Sequence, residues 1–253
     1  MKKMNNDFII GGWSQNLTAV APESFSYAMY GMITNFPALT SGTVSAPGWS
    51  PKEEMAPQHA SCNVLWTYGG AGGEPKGTPS DQTEMDAIIE ATIKNNWAGV
   101  DFDNESAMNI TNIAKTTLEL KKQKKESSYT FLAGYDYNHS PQGAADVKSI
   151  VENGAADRFI LMCYGDSMWS MDDIRNNVGQ AIEKTIAQGA DLKKIILALT
   201  CNGLTEENLD YFLDLVIKYE IGGLFIWEYP NLEAKYLNRI CTKLQINKLV
   251  GSH

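Results

Sequence analysis

The sequence is poor in the residue types that several common chemistries require, and each scarcity excludes something. It has four cysteines, three histidines, and 21 lysines and arginines against 30 aspartates and glutamates. Cys62, Cys163, Cys201 and Cys241 lie far apart in mostly apolar surroundings, and no pair has the close spacing of a zinc or redox site. They read as reduced core residues, with a disulfide left open. His59 and His139 fall in predicted loops without a serine or cysteine nucleophile as partner, so a hydrolase triad has little support. A net charge of -9 and a pI near 4.9 argue against a nucleic-acid partner, because contacts to phosphates need a basic face. The basic cluster, KKQKK at Lys121 to Lys125, ends a predicted helix and reads as a solvated helix terminus. No run approaches the roughly 20 apolar residues of a membrane helix, and Met1 to Asp7 with the short FII that follows does not make a signal peptide. The expectation is a cytoplasmic protein as the sequence stands, or a secreted one if a signal has been removed.

What remains is an ordinary globular composition, 43% hydrophobic and 20% charged over 253 residues. The expectation is one domain over residues 1–250, with Gly251, Ser252 and His253 as a possible cloning remnant. Short β-rich apolar runs alternate with longer segments of helical period. Candidate strands are Phe8 to Trp13, Tyr27 to Ile33, Asn63 to Tyr68, Ala98 to Asp103, Tyr129 to Tyr135, Arg158 to Tyr164, Lys194 to Thr200 and Gly223 to Tyr229. Candidate helices cover Asp81 to Asn95, Met108 to Lys125, Gln142 to Asn153, Met171 to Gln188, Glu206 to Tyr219 and Leu232 to Gln245. Eight strands in such alternation predict an α/β fold, a closed (β/α)8 TIM barrel. One connection departs from the pattern: Pro37 to Ala60 is rich in Pro, Gly and Ser and predicts a long loop after the second strand.

The fourth candidate strand carries the chemistry. In GVDFDNES, Asp101, Asp103 and Glu105 stand at every second residue, so a strand places all three on one face. Barrel strands point alternate residues inward and present catalytic groups at their carboxyl ends. The acids then form an inward ladder with Glu105 at the mouth. Crowding and burial both disfavour ionisation, so one member keeps a proton near neutrality and can act as a general acid. A Mg²⁺ or Ca²⁺ site ranks lower, because those ions want oxygens spread around a sphere and a single strand offers a column.

AGVDFDNES resembles the D-G-x-D-x-D-x-E signature on the fourth barrel strand of glycoside hydrolase family 18, the chitinases and endo-β-N-acetylglucosaminidases. FIIGGWSQN, NVLWTYGG, LMCYGD and IGGLFIWEY are similar, in order, to the family's first, third, sixth and last strands. Three positions depart: Ala98 replaces the first Asp of the signature, Gly165 follows Tyr164 with Asp166 one place late, and Asn104 stands where Trp or Ile is common.

The resemblance implies substrate-assisted retaining hydrolysis with no cofactor. Glu105 would protonate the glycosidic oxygen while the substrate's 2-acetamido carbonyl attacks the anomeric carbon. Asp103 would orient the acetamido N–H, Asp101 would share a proton behind it, and Tyr164 would hold the acetamido oxygen. Trp227 would floor the sugar. Trp13, Tyr68, Gly69, Gly70, Met162, Asp166 and Tyr135 complete the candidate substrate-binding set. GGAGG at Gly69 to Gly73 reads as a close backbone turn in preference to a phosphate cradle, because barrel phosphate sites follow late strands. The implied partner is an oligo- or polysaccharide containing N-acetylglucosamine. The rivals are a catalytically silent barrel that binds carbohydrate or protein, and an endo-acting enzyme on N-glycan cores.

Overall fold

The computed structural model describes residues 8–16, 19–33, 62–71 and 76–245. The long stretch 37–60, His59, Gly72, Gly73 and the terminal Gly251, Ser252 and His253 lie outside them, as do residues 1–7.

Eight parallel strands close into a barrel in simple sequence order. They are β1 Ile9–Ser14, β2 Tyr27–Ile33, β3 Asn63–Gly69, β4 Gly99–Asn104, β5 Glu126–Leu132, β6 Arg158–Met162, β7 Ile195–Thr200 and β8 Gly223–Trp227. The described helices are α1 Gln82–Lys94, α2 Ile110–Lys122, α3 Tyr135–His139, α4 Pro141–Asn153, α5 Met171–Ala187, α6 Glu206–Tyr219 and α7 Ala234–Lys243. The α/β barrel expected from the alternation is therefore present.

Local chemistry sets the boundaries. Asp81 caps α1 by accepting from the Glu84 backbone N–H at 3.0 Å. Thr205 and Asn208 close a reciprocal capping box on α6. The four cysteines are free thiols. Lys121 pairs with Asp157 at 2.5 Å and Lys122 with Glu119 at 2.6 Å, both lysines in solvent, so the KKQKK segment is the solvated helix end its pattern predicts.

The fifth strand begins three residues earlier than expected, at Glu126, and ends at Leu132. Its first half is polar because Ser128 and Thr130 face the lumen, so a search for apolar runs starts too late. The residues assigned to its end instead turn at Gly134 into the short helix α3, which carries Tyr135 away from the sheet.

Side chains fill the barrel below the mouth. Trp13 meets Phe225 edge-on at 5.6 Å, Phe225 lies 6.0 Å from Tyr27, and the Arg158 guanidinium sits 4.1 Å over the Tyr27 ring. Arg158 is paired with Glu126 at 2.8 Å. The lumen is thus a packed core with its free space at the carboxyl ends of the strands.

Candidate active site

Strand β4 delivers Asp101 and Asp103 to the lumen, while Val100 and Phe102 pack outward against the helices. Glu105 follows one residue beyond the strand and is half-buried. Asn104 fixes that exit. Its amide donates to the Tyr129 hydroxyl at 2.8 Å, and its carbonyl accepts the Met108 backbone N–H at 2.9 Å. The departure at position 104 therefore has a structural purpose, holding the turn that presents Glu105.

Asp101 lies fully buried with both oxygens doubly bonded. Oδ1 accepts from Ser128 Oγ and Thr130 Oγ1, each at 2.6 Å; Oδ2 accepts from Trp13 Nε1 and Thr67 Oγ1, each at 3.1 Å. Burial pushes its pKa up, and these four donors oppose that push. With every lone pair facing a hydrogen, Asp101 has no acceptor left for a cation. Among the described residues no three His, Cys, Asp or Glu side chains gather as metal ligands.

Asp103 is buried, and its Oδ1 has no hydrogen-bond partner. Burial first, then the negative charges of Glu105 and Asp101, raise its pKa well above the usual carboxylate range, and a hydrogen bond to Glu105 adds to the shift. Glu105 is raised by burial, against a hydrogen bond from the Ala71 backbone amide and its bond with Asp103; the charge of Asp166 raises it further. Two acids this close in a dry site hold one proton between them. Asp103 is the more buried partner, and Glu105 lies half-buried at the rim.

Two glycines make the approach between β3 and β4. Gly69 sits at φ +108°, where an added Cβ would lie 2.3 Å from the Asp103 carbonyl oxygen. Gly70 then donates its N–H to that same carbonyl at 2.9 Å, which aims the next amide, that of Ala71, at Glu105. These glycines shape the site through backbone, as a close turn.

Tyr164 is buried two residues past β6, and its hydroxyl stays neutral: burial raises its pKa well above 10, helped by the nearby carboxylates of Asp103 and Glu105. Met162 stands buried two residues before it on the same inward register. Trp227 ends β8, half-buried, on the parity of the lumen-facing Phe225. Asp166 is exposed in the turn after Tyr164, within charge range of Glu105. Tyr135 is 63% exposed on α3 and stacks on His139 at 4.0 Å.

Two assignments change. Tyr68 points out of the barrel: its ring meets Phe102 edge-on at 6.4 Å and its hydroxyl donates to Glu84 on α1. The period of two puts Thr67 into the lumen in its place. Trp13 is inward but only 2% exposed, so it is a donor to Asp101 beneath the mouth, without a face open to a sugar. Sequence reasoning also missed Ser128 and Thr130. Strict alternation through ESSYTFL was the available signal, and the polar identities concealed it.

No family model and no curated protein matches the sequence. Solved structures are similar in fold. The catalytic domain of a hyperthermophilic chitinase from Pyrococcus furiosus is similar with a TM-score of 0.64 at 16% identity, over 87% of this chain and 83% of that one. A fungal endo-β-N-acetylglucosaminidase from glycosyl hydrolase family 18 gives 0.64 at 15% identity, over 94% and 96%. A chitinase-like agglutinin from Robinia pseudoacacia gives 0.62 at 13% identity, over 92% and 98%. At these identities the likeness is one of fold.

Proposed function

We propose that this chain is a glycoside hydrolase cleaving β-1,4-linked N-acetylglucosamine in chitin or its oligomers, by a substrate-assisted retaining mechanism. The observation that carries the reading is the Asp103–Glu105 pair. It is a proton-sharing couple at the barrel mouth, whose inner member leaves one buried oxygen unpartnered.

That free acceptor suits an acetamido N–H, the one polar hydrogen a 2-acetamido sugar brings to its own reacting centre. When the N–H bonds Asp103, the shared proton is best held on Glu105, which donates it to the glycosidic oxygen as the C–O bond breaks. The acetamido carbonyl closes on the anomeric carbon from the other side, and the Tyr164 hydroxyl steadies its oxygen. The positive charge of the resulting oxazolinium is balanced by Asp103, with the fixed charge of Asp101 behind. Water then opens the ring, giving its proton to Glu105. Trp227 supplies an apolar face for the sugar's C–H surface.

Similarity in fold to two glycosidases supports the reading. The agglutinin keeps a second one in view, a barrel that binds carbohydrate without turnover.

The test is incubation with chitooligosaccharides and with a high-mannose glycopeptide, followed by mass spectrometry. Cleavage of the first is expected. Glu105→Gln should lower kcat at least ~10²-fold, the usual contribution of a general acid, with an unchanged circular dichroism spectrum. An active Gln variant removes Glu105 from its role, and binding without cleavage by the unaltered chain replaces the hydrolase with the silent barrel.

A further inference from the structure

We infer that a cavity beside the acid column takes a sugar ring carrying a protonated amine, so that the unit adjoining the cleaved N-acetylglucosamine is preferentially glucosamine. This rests on the hydrolase reading for the presence of a sugar chain at the mouth, and adds the chemistry of its neighbouring unit.

The cavity measures about 320 Å³, within the range of small-molecule sites. Tyr164 and Gly165 form the wall it shares with the acids, Tyr135 and Trp169 supply aromatic faces, and Asp136 and Asp173 stand at its rim. Tyr164 is only 7% exposed and lines the cavity on the side of the acids. Trp169 is seated directly on the backbone at the start of α3: a Cβ on Gly134 would fall 2.7 Å from the indole. The aromatic wall is therefore fixed in place.

Charge decides the occupant. Asp136 and Asp173 at the rim, and Asp166 on the adjoining turn, are exposed carboxylates with no ion-pair partner among the described residues. The nearby cations are committed elsewhere. Arg175 is held by Glu207 at 2.8 Å and Asp172 at 3.9 Å. Lys184 donates to the backbone carbonyls of Tyr137, Asn138 and Ser140 beneath α3, and His139 stacks against Tyr135 with Nδ1 at that residue's carbonyl. An ammonium among aromatic faces and carboxylates that no cation neutralises, Asp173 accepting only the Ser170 hydroxyl, is attracted by both. A neutral acetamido sugar gains only the aromatic contact, and an anion is repelled.

The Glu105→Gln chain, which blocks turnover, is titrated by calorimetry at pH 6 with two tetrasaccharides, one fully acetylated and one alternating N-acetylglucosamine with glucosamine. The alternating oligomer is expected to bind about twofold to thirtyfold more tightly, the range for two exposed charge contacts. The preference should shrink as salt is raised and disappear in an Asp136→Asn/Asp173→Asn background. Equal or weaker binding of the amine oligomer, binding of neither, or a preference that survives the double substitution overturns the inference. So does tighter binding of a lysine-rich peptide of equal charge. Incubating the unaltered chain with the acetylated oligomer separately decides the hydrolase reading: absence of cleavage ends that reading, while the titrations still decide the amine preference.

Discussion

Asp101→Asn separates the charge of the deepest acid from its shape. The oxygen of the new amide belongs on the Trp13 and Thr67 side, because an indole N–H cannot accept a hydrogen bond. The NH₂ then faces the Ser128 and Thr130 hydroxyls, which can rotate to accept, so the pocket tolerates the change. What is lost is one buried negative charge two residues from Asp103. Alternate residues of a strand are about 6.6 Å apart, and at an effective dielectric constant near 20 two unit charges at that separation interact by about 2.5 kcal/mol. That corresponds to about 2 pH units. The Asp101 charge raises Asp103, so its removal lowers the pH at which the Asp103–Glu105 pair gives up its shared proton. The measurement is kcat/KM against pH from 4 to 9 on a chitooligosaccharide, whose alkaline limb follows that proton. The limb should move down by one to two pH units. A limb that stays in place would show Asp101 already protonated in the native chain, and the account of a fixed charge beneath the pair would fail.

Asp103→Asn should lose turnover yet gain stability toward high pH. A carboxyl with a raised pKa stabilises the fold below its unfolded value, 3.8, and that contribution disappears as pH rises toward the folded value. In urea unfolding, the variant's advantage over the native chain should therefore widen from pH 4 to pH 8; a constant difference contradicts the shift. Gly69→Ala combines positive φ with a 2.3 Å clash on the Asp103 carbonyl, and should be destabilised by about 2 kcal/mol or more, read as a Tm lowered by at least about 4 °C. Tyr68→Phe removes the hydroxyl's bonds to Glu84 and Thr78 and should lower stability by about 1 to 2 kcal/mol with kcat and KM unchanged, whereas Trp227→Ala should raise KM about tenfold. The reverse pattern in steady-state kinetics would put the wrong aromatic at the mouth.

Much of the site was legible because a strand's period of two leaves no choice: once Asp101 faces the lumen, Asp103 must follow it, while Glu105, one place past the strand, is set by the turn that Asn104 holds. The same rule, applied to NVLWTYGG, selects Thr67 and sends Tyr68 to the helix layer, so parity outranks the conspicuous aromatic. The fifth strand was misplaced for a related reason. An apolar run marks burial against helices, but this strand's inner face is buried against a carboxylate, so hydroxyl residues take the places where aliphatic ones were sought.

The sequence by itself determined the alternation of strands and helices, the eightfold count that closes a barrel, and the column of three acids, because these depend on periodicities local to the chain. Only the tertiary structure decided how the acids are balanced. Asp101 draws its four donors from β1, β3 and β5, Ala71 reaches Glu105 from the turn after β3, and Tyr164 arrives from beyond β6. Proton sharing is a property of burial and of charges a few ångströms away, and those distances exist only once the ends of separate strands have been brought together around one mouth.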